Sequence, residues 1–280
     1  MEQNQPSPPS TSLQREAVLL HKRLQHLMGK ALGEFSLIEE GDRILLGLSG
    51  GKDSLALLEL LGERMRRSGG RFRVEALHVR MKNVQYKSDL DYLREQAAAQ
   101  GIPFHVADAA FEPDRNERRS PCFLCSWHRR KVFFNLAQEW GCRKIALGHH
   151  LDDLLHTAML NLTFNGSFST MPVKLALRKM PLTLIRPLAF IPEADLRRWA
   201  ELRGYRKVDK VCPFDRASNR TSVGSAMQAI EQLNPDYRSH LLQALRRAGA
   251  LHGGQLCPRR ADGRGGAPRG HGALPGRLGV

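Results

Sequence analysis

Two stretches of this 280-residue chain carry side chains whose types and spacing can do chemistry. The first is Ser49-Gly50-Gly51-Lys52-Asp53-Ser54, which follows the apolar run Ile44-Leu45-Leu46-Gly47-Leu48 and leads into Leu55-Ala56-Leu57-Leu58-Glu59-Leu60-Leu61. Small residues let the backbone approach a ligand closely, and the amides that open the following helix favour an anion, so phosphate is the expected guest. Lys52 adds a positive charge, and Asp53 can hold a magnesium ion that bridges phosphate oxygens. The spacing is too short for a Walker P-loop. The second stretch is Cys122-Phe123-Leu124-Cys125, opening a helix that continues Ser126-Trp127-His128-Arg129-Arg130-Lys131. Two thiols one turn apart can point at one ion, and the helix amino end together with the three following cations favours thiolates. Half a zinc site, a redox dithiol and two unrelated cysteines all fit this spacing; the lack of a second C-x-x-C pair weighs against a closed four-cysteine zinc site. Of the remaining cysteines, Cys142 reads as a buried thiol and Cys257 falls in a low-complexity tail. Cys212, among Lys207, Lys210, Arg216 and Arg220, is the candidate third ligand. Three thiolates suit a four-iron cluster whose open iron can carry an extra sulfide.

The elements that must position these groups follow from periodicity. Leu19, Leu20, Leu24, Leu27, Met28, Leu32 and Phe35 recur at helical spacing, predicting an amphipathic helix over about 13–37. Strands are expected at Ile44 to Leu48, Arg71 to Val79, Phe104 to Ala107, Lys144 to Leu147 and Leu182 to Ile185. Helices are expected after Asp53, over about 89–100, 127–140, 152–162 and 192–203, and from Ser225 to Arg247. Glu112 to Ser120 and Lys207 to Val223 read as loops. Strand and helix alternate four times, which predicts an α/β, Rossmann-like doubly wound parallel sheet with an N-terminal helix and a helical C-terminal part, its ligands at the carboxyl ends of the strands. Residues 1–12 are expected to be a disordered lead-in, 13–250 the catalytic domain and 251–280 a disordered tail. Lys and Arg number 43 against 28 Asp and Glu, a net charge of +15, and an enzyme with such an excess usually meets a polyanion, nucleic acid first. No run approaches the roughly twenty apolar residues of a membrane span, and the first ten residues lack a signal-peptide layout. Five cysteines are too sparse for a disulfide scaffold, so a cytoplasmic, reduced setting is expected.

SGGKDS resembles the PP-loop of the ATP pyrophosphatase superfamily (adenine nucleotide alpha hydrolase-like fold). FSLIEEGDRILLGLSGGKDS, PCFLCSWHRR, LGHHLDDLLHT with its following LNLTFNG, Met171-Pro172, Ile185-Arg186-Pro187-Leu188 and VCPFDRASNR together resemble the TtcA-type tRNA-cytidine 2-sulfurtransferases, the tRNA 2-thiocytidine synthetases, over about Leu24 to Val223 and on through Leu242. The resemblance implies ATP and magnesium bound at Ser49, Gly50, Gly51, Lys52, Asp53 and Ser54, with His78, Gly148 and Asp153 beside them. It also implies a [4Fe-4S] cluster on Cys122, Cys125 and Cys212, with Asp53 and these three cysteines as the catalytic groups. ATP would adenylate the C2 oxygen of cytidine 32 in a tRNA anticodon stem-loop, and sulfide held by the cluster would displace AMP. The implied sulfur source is a donor such as a cysteine desulfurase, and a homodimer is an open option. Asp152 and Asp153 begin a helix, where capping and a place in the nucleotide or magnesium site both suit them, Asp153 more than Asp152. His149 and His150 can line the same pocket or be structural. Two departures stand out: His156 replaces a Glu usual in the family, and Asp215 falls where the later cysteine of a second C-x-x-C would stand. The alternatives are thiolation of another tRNA base by a related PP-loop enzyme, lysidine synthesis with free lysine, which has no need of the cysteines, and a non-catalytic RNA-binding iron–sulfur protein.

Overall fold

Ile44, Leu45 and Leu46 are fully buried on both sides of the pleat, which requires that the strand they form be covered on both faces. The structure, a computed structural model, describes residues 11–82, 89–110, 121–206 and 219–253. In chain order its elements are α1 (Thr11–Glu34), β1 (Arg43–Gly47), α2 (Lys52–Arg67), β2 (Arg73–Met81), α3 (Leu90–Ala99), β3 (Phe104–Ala109) and α4 (Pro121–Glu139). Then come β4 (Lys144–Ala146), α5 (Leu151–Asn165), β5 (Lys174–Ala176), β6 (Thr183–Ile185), α6 (Glu193–Leu202), α7 (Asn219–Leu233) and α8 (Tyr237–Arg247). The strands form one sheet in the order β3-β2-β1-β4-β6-β5, parallel except for β5, which runs antiparallel to β6 at the edge.

Alternation within the strands sorts the core into two layers. Ile44, Leu46, Val74, Ala76, Ala146 and Ile185 point to the face covered by α1, α2, α3, α5 and α6, with α7 and α8 beyond. Leu45, Leu77, Val79, Ile145 and Leu184 point to the other face, where Phe133 and Ala137 of α4 cover them. The α/β doubly wound reading thus matches the sheet, and strand order reverses between β1 and β4, the place where such sheets leave a crevice for ligands. The short antiparallel β5 escaped the sequence: three residues between prolines carry no periodicity.

The four expected strand–helix alternations occur, with shifted ends. β2 runs on to Met81, two residues past the expected end, and α4 begins at Pro121, a proline at the first helical position where its missing N–H is harmless. On the C-terminal side the chain stays packed through Gly253: the Val173 amide donates to the Leu251 carbonyl at 2.9 Å, and Leu251 is fully buried. The expected loop at Glu112 to Ser120, Cys212 with most of its loop, Cys257, the lead-in as far as residue 10 and the tail from 254 lie outside the described residues. Among the described residues, no helix is long and apolar enough to cross a membrane.

Candidate active site

The loop Leu48–Gly51 leaves β1 at its carboxyl end and turns into α2. Gly50 has φ +85°, a left-handed conformation that a side chain would strain, and Gly51 precedes the first turn of the helix. Ser54 holds the turn closed. Its hydroxyl donates to the Gly51 carbonyl at 2.9 Å and accepts from the Ser49 amide at 3.2 Å and the Ser49 hydroxyl at 3.1 Å, so both lone pairs and the proton are used. The loop is therefore rigid before any ligand arrives, and the first amides of α2 are left for an anion.

Gly148, just past β4, permits the next contact. A Cβ there would sit 3.2 Å from the backbone C of Asp53 and 3.2 Å from the amide N of Ser54, so the β4–α5 connection lies directly against the start of α2. That connection carries His149 and His150 and feeds α5, whose first turn holds Asp152 and Asp153. Asp153 accepts from the His150 amide at 3.1 Å and lines the cavity beside the loop. Asp152 is engaged elsewhere: it accepts from the Glu193 amide at 2.7 Å, capping α6, and pairs with Arg238 of α8. The paired aspartates thus divide, one facing the cavity and one tying three helices together. His150 is buried behind them, its ring nitrogens 3.5 Å from Asp153, 3.8 Å from Asp152 and 4.0 Å from Asp53, while His149 lines the cavity.

Lys52 is turned onto carboxylates. Its ammonium lies 3.1 Å from Asp53 and 3.0 Å from Glu193. Burial pulls the lysine pKa down, but the two carboxylates outweigh it and hold the pKa above its usual value; burial raises that of Glu193, and Lys52 more than reverses this. Asp53 Oδ1 is buried and accepts no well-formed hydrogen bond among the described residues. His78, at the carboxyl end of β2, is 1% exposed, and its Nδ1–H donates to the Leu48 carbonyl at 2.7 Å. Burial, aided by Arg129 and Arg80, pushes its pKa below the usual histidine value despite that bond, so the ring is neutral at pH 7.

These groups border one cavity of about 440 Å³, ample for a nucleotide. Ser49, Asp53, Ser54, His78, Gly148 and Asp153 line it; Gly50, Gly51 and Lys52 belong to the adjoining loop and are not among its lining. The opposite wall is α4, through Arg129, Arg130, Phe133 and Phe134, and the Arg129 Nε is buried with no hydrogen-bond partner among the described residues. The sequence pointed to these arginines as neighbours of the cysteines, without placing them in this cavity. Glu193 and Arg186 went unnoticed. Arg186, at the end of β6, is 3% exposed; burial lowers its pKa to about 10, Asp153 opposing, and its guanidinium donates to the Pro172 carbonyl. The signal for it was present in the Ile185–Leu188 motif.

Cys125 is half-buried on α4 against the core layer that helix covers, outside the cavity lining. Cys122 occupies the preceding turn of the same helix, so the two positions share a face, as a common ion requires. Cys142 is 1% exposed, and burial, with Glu75 adding to it, pushes its thiol up to about 11, which fits the structural role expected of it. His156 stands outside the cavity lining and faces α7: a Cβ on Gly224 would lie 3.8 Å from its ring.

The model of the PP-loop domain matches residues 18–222, most of the chain. The chain belongs to the PP-loop domain family. Within the PP-loop proteins its relatives include the tRNA-cytidine(32) 2-sulfurtransferase of Paracidovorax citrulli, 35% identical over 85% of this chain and 78% of that protein. The protein of the same name from Pelobacter propionicus is also 35% identical, over 85% of this chain and 91% of its own length. A similar fold is seen in the U34-tRNA thiolase NcsA from Methanococcus maripaludis, solved with its [4Fe-4S] cluster (TM-score 0.67, 23% identity, 86% of each chain).

Proposed function

We propose that this chain is an ATP-dependent tRNA thiolase that replaces the C2 oxygen of cytidine 32 by sulfur. The observation that carries this reading is one cavity bordered by two buried groups of opposite sign, Asp53 Oδ1, met by the Lys52 ammonium at 3.1 Å, and Arg129 Nε, which has no hydrogen-bond partner among the described residues, beside the first amides of α2. A magnesium–triphosphate complex has the charges to match both. The relatives' names support tRNA as the second substrate, and so does the net charge of +15.

The chemistry then runs in two displacements. The cytidine C2 oxygen attacks the α-phosphorus, and the bond to the bridging oxygen breaks to release pyrophosphate. The charge developing on that leaving group falls on the α2 amides, Lys52 and Arg129, preorganised and partly desolvated. Lys52 must exchange Asp53 and Glu193 for phosphate oxygens, and this frees Asp53 for metal. Magnesium there would neutralise the leaving phosphates. The adenylated C2 then carries AMP as its leaving group; the C2–O bond breaks as a C2–S bond forms, and AMP departs with the oxygen. A [4Fe-4S] cluster held by Cys122, Cys125 and Cys212 would supply that sulfur. His78, neutral, fixes the Leu48 carbonyl and so the entry to the loop, and Gly148 and Asp153 close the nucleotide side.

Mass spectrometry of nucleosides from bulk tRNA tests this, comparing wild type, a strain lacking the protein and strains carrying Asp53→Ala or Cys212→Ala. Loss of 2-thiocytidine in all three altered strains is expected. Its persistence in the strain lacking the protein would overturn the substrate, and loss of a different thiolated nucleoside would move the reaction to another base. Persistence in the Cys212→Ala strain alone would remove Cys212 from the sulfur chemistry.

A further inference from the structure

Trp127 is exposed where the chain's other tryptophans are not. Trp199 is 4% exposed and stacked on His21 with centroids 5.4 Å apart, and Trp140 is half-buried against His105 at 4.5 Å. Trp127 is 41% exposed on α4; its neighbours are the His128 ring, edge-on at 4.8 Å, and the Lys131 ammonium, 5.4 Å from the indole centroid. A single exposed apolar side chain is ordinary. Its place on α4 sets this one apart.

At 3.6 residues per turn, Arg129, Arg130, Phe133 and Phe134 occupy one continuous arc of the helix, and these four form the α4 wall of the nucleotide cavity. Trp127 sits on one flank of that arc, a turn before Arg130 and two before Phe134. The position of Cys125 falls on the other flank, and that of Cys122, two turns before Arg129, lies in line with the arc itself. A base that enters the cavity between these flanks has left its stack, and the nucleotide next to it presents an uncovered π-face at the rim, where the indole and the cations of Arg130 and Lys131 stand. Aromatic rings interleaved with arginine and lysine suit unpaired RNA, through stacking and backbone attraction together.

We propose that Trp127 is a stacking platform for the unpaired tRNA nucleotide that flanks the target base, with Lys131 holding its phosphate. The proposal rests on the tRNA-thiolase reading and deepens it by giving the RNA a place on α4. Arg130 forms part of both surfaces, so a bound RNA loop runs from the platform into the cavity along one helix.

The test is equilibrium binding of an anticodon stem-loop RNA to the full-length protein across a salt series, with tryptophan fluorescence as a second readout. Stacking is worth about 1–3 kcal/mol per base, so Trp127→Ala weakens binding by about 5- to 150-fold at one salt concentration. The slope of log affinity against log salt is expected to stay the same in Trp127→Ala, because no phosphate contact is lost, and to fall by about 0.7–0.9 in Lys131→Ala. Trp127→Phe retains most of the affinity, and quenching on RNA addition disappears in it. A wild-type protein that binds the stem-loop, with Trp127→Ala binding equally well, would overturn the platform alone and leave the ring to a protein partner. Wild type that binds no stem-loop would sink the tRNA reading and the platform with it.

Discussion

Gly148→Ala is the substitution whose outcome the geometry fixes most directly. The backbone at Gly148 is not in the left-handed region, so alanine meets no conformational penalty; the effect is steric. The new Cβ lies 3.2 Å from Asp53 C, 3.2 Å from Ser54 N and 3.3 Å from Asp53 O, each closer than ordinary contact. All three are backbone atoms of a turn that Ser54 pins by three hydrogen bonds, so nothing can rotate away and the start of α2 has to give by a few tenths of an ångström. Overpacking of this kind costs about 1–3 kcal/mol. Losing a glycine from the unfolded chain returns about 0.4–1 kcal/mol, for a net loss of up to about 2.6 kcal/mol. For a domain of this size that lowers Tm by up to about 10 °C. The displaced loop also misplaces the phosphate-facing amides, and tRNA-dependent AMP formation is expected to drop about tenfold, a fraction of what a full ångström costs. Gly33→Ala is the control: no atom lies within 4 Å of its Cβ, and helix propensity predicts a gain of about 0.5–1 kcal/mol. Thermal unfolding and single-turnover AMP release measure both. A Gly148→Ala protein that melts with wild type and releases AMP at the wild-type rate would show that the close approach constrains nothing.

Two further outcomes follow from the site. His78 is neutral in the folded protein with its pKa depressed from 6.5, so folding releases a proton once the solution falls below that value. Its contribution is complete above pH 6.5 and shrinks by up to about 1.4 kcal/mol per pH unit below it, so the stability gap between wild type and His78→Asn in urea titrations narrows from pH 7.5 to pH 5; a gap that widens instead contradicts the assignment. Asp152→Asn weakens the tie between α5, α6 and α8 and is expected to cost about 1–3 kcal/mol while sparing AMP formation per folded molecule. Asp153→Asn keeps its helix cap and loses AMP formation, and calorimetry with a turnover assay separates the two.

The β1–loop–α2 unit was legible because all of it is contiguous: an apolar strand, a Gly-Gly turn and a helix whose first turn carries Lys52, Asp53 and Ser54. Gly148 and Asp153 were legible from the resemblance, and the sheet's class from the alternation of periods. Groups that meet across the fold left no local trace. Glu193 follows a proline at an ordinary helix start, and nothing in its neighbourhood shows that its carboxylate rests on Lys52. Arg129 and Arg130 read as neighbours of the cysteines, because a helix wall facing a cavity is set by packing of α4 on β2 and β3. Asp152 and Asp153 are adjacent and alike in sequence; their opposite duties come from the hundred-degree turn between consecutive helical residues, which aims one at α6 and α8 and the other at the cavity.

The contact between Lys52 and Glu193 also bears on how the protein is born. At about 5–20 residues per second, a ribosome that has just made the loop needs roughly 7–30 s more to reach the α6 carboxylate. Throughout that interval the nascent chain carries a Lys52 without Glu193, and, once α5 is made, an Asp152 without the α6 amide it caps. The loop is therefore braced late in synthesis, after β4 has entered the sheet and α6 has been made, and a chain stalled in α4 presents its loop without the brace that later holds it.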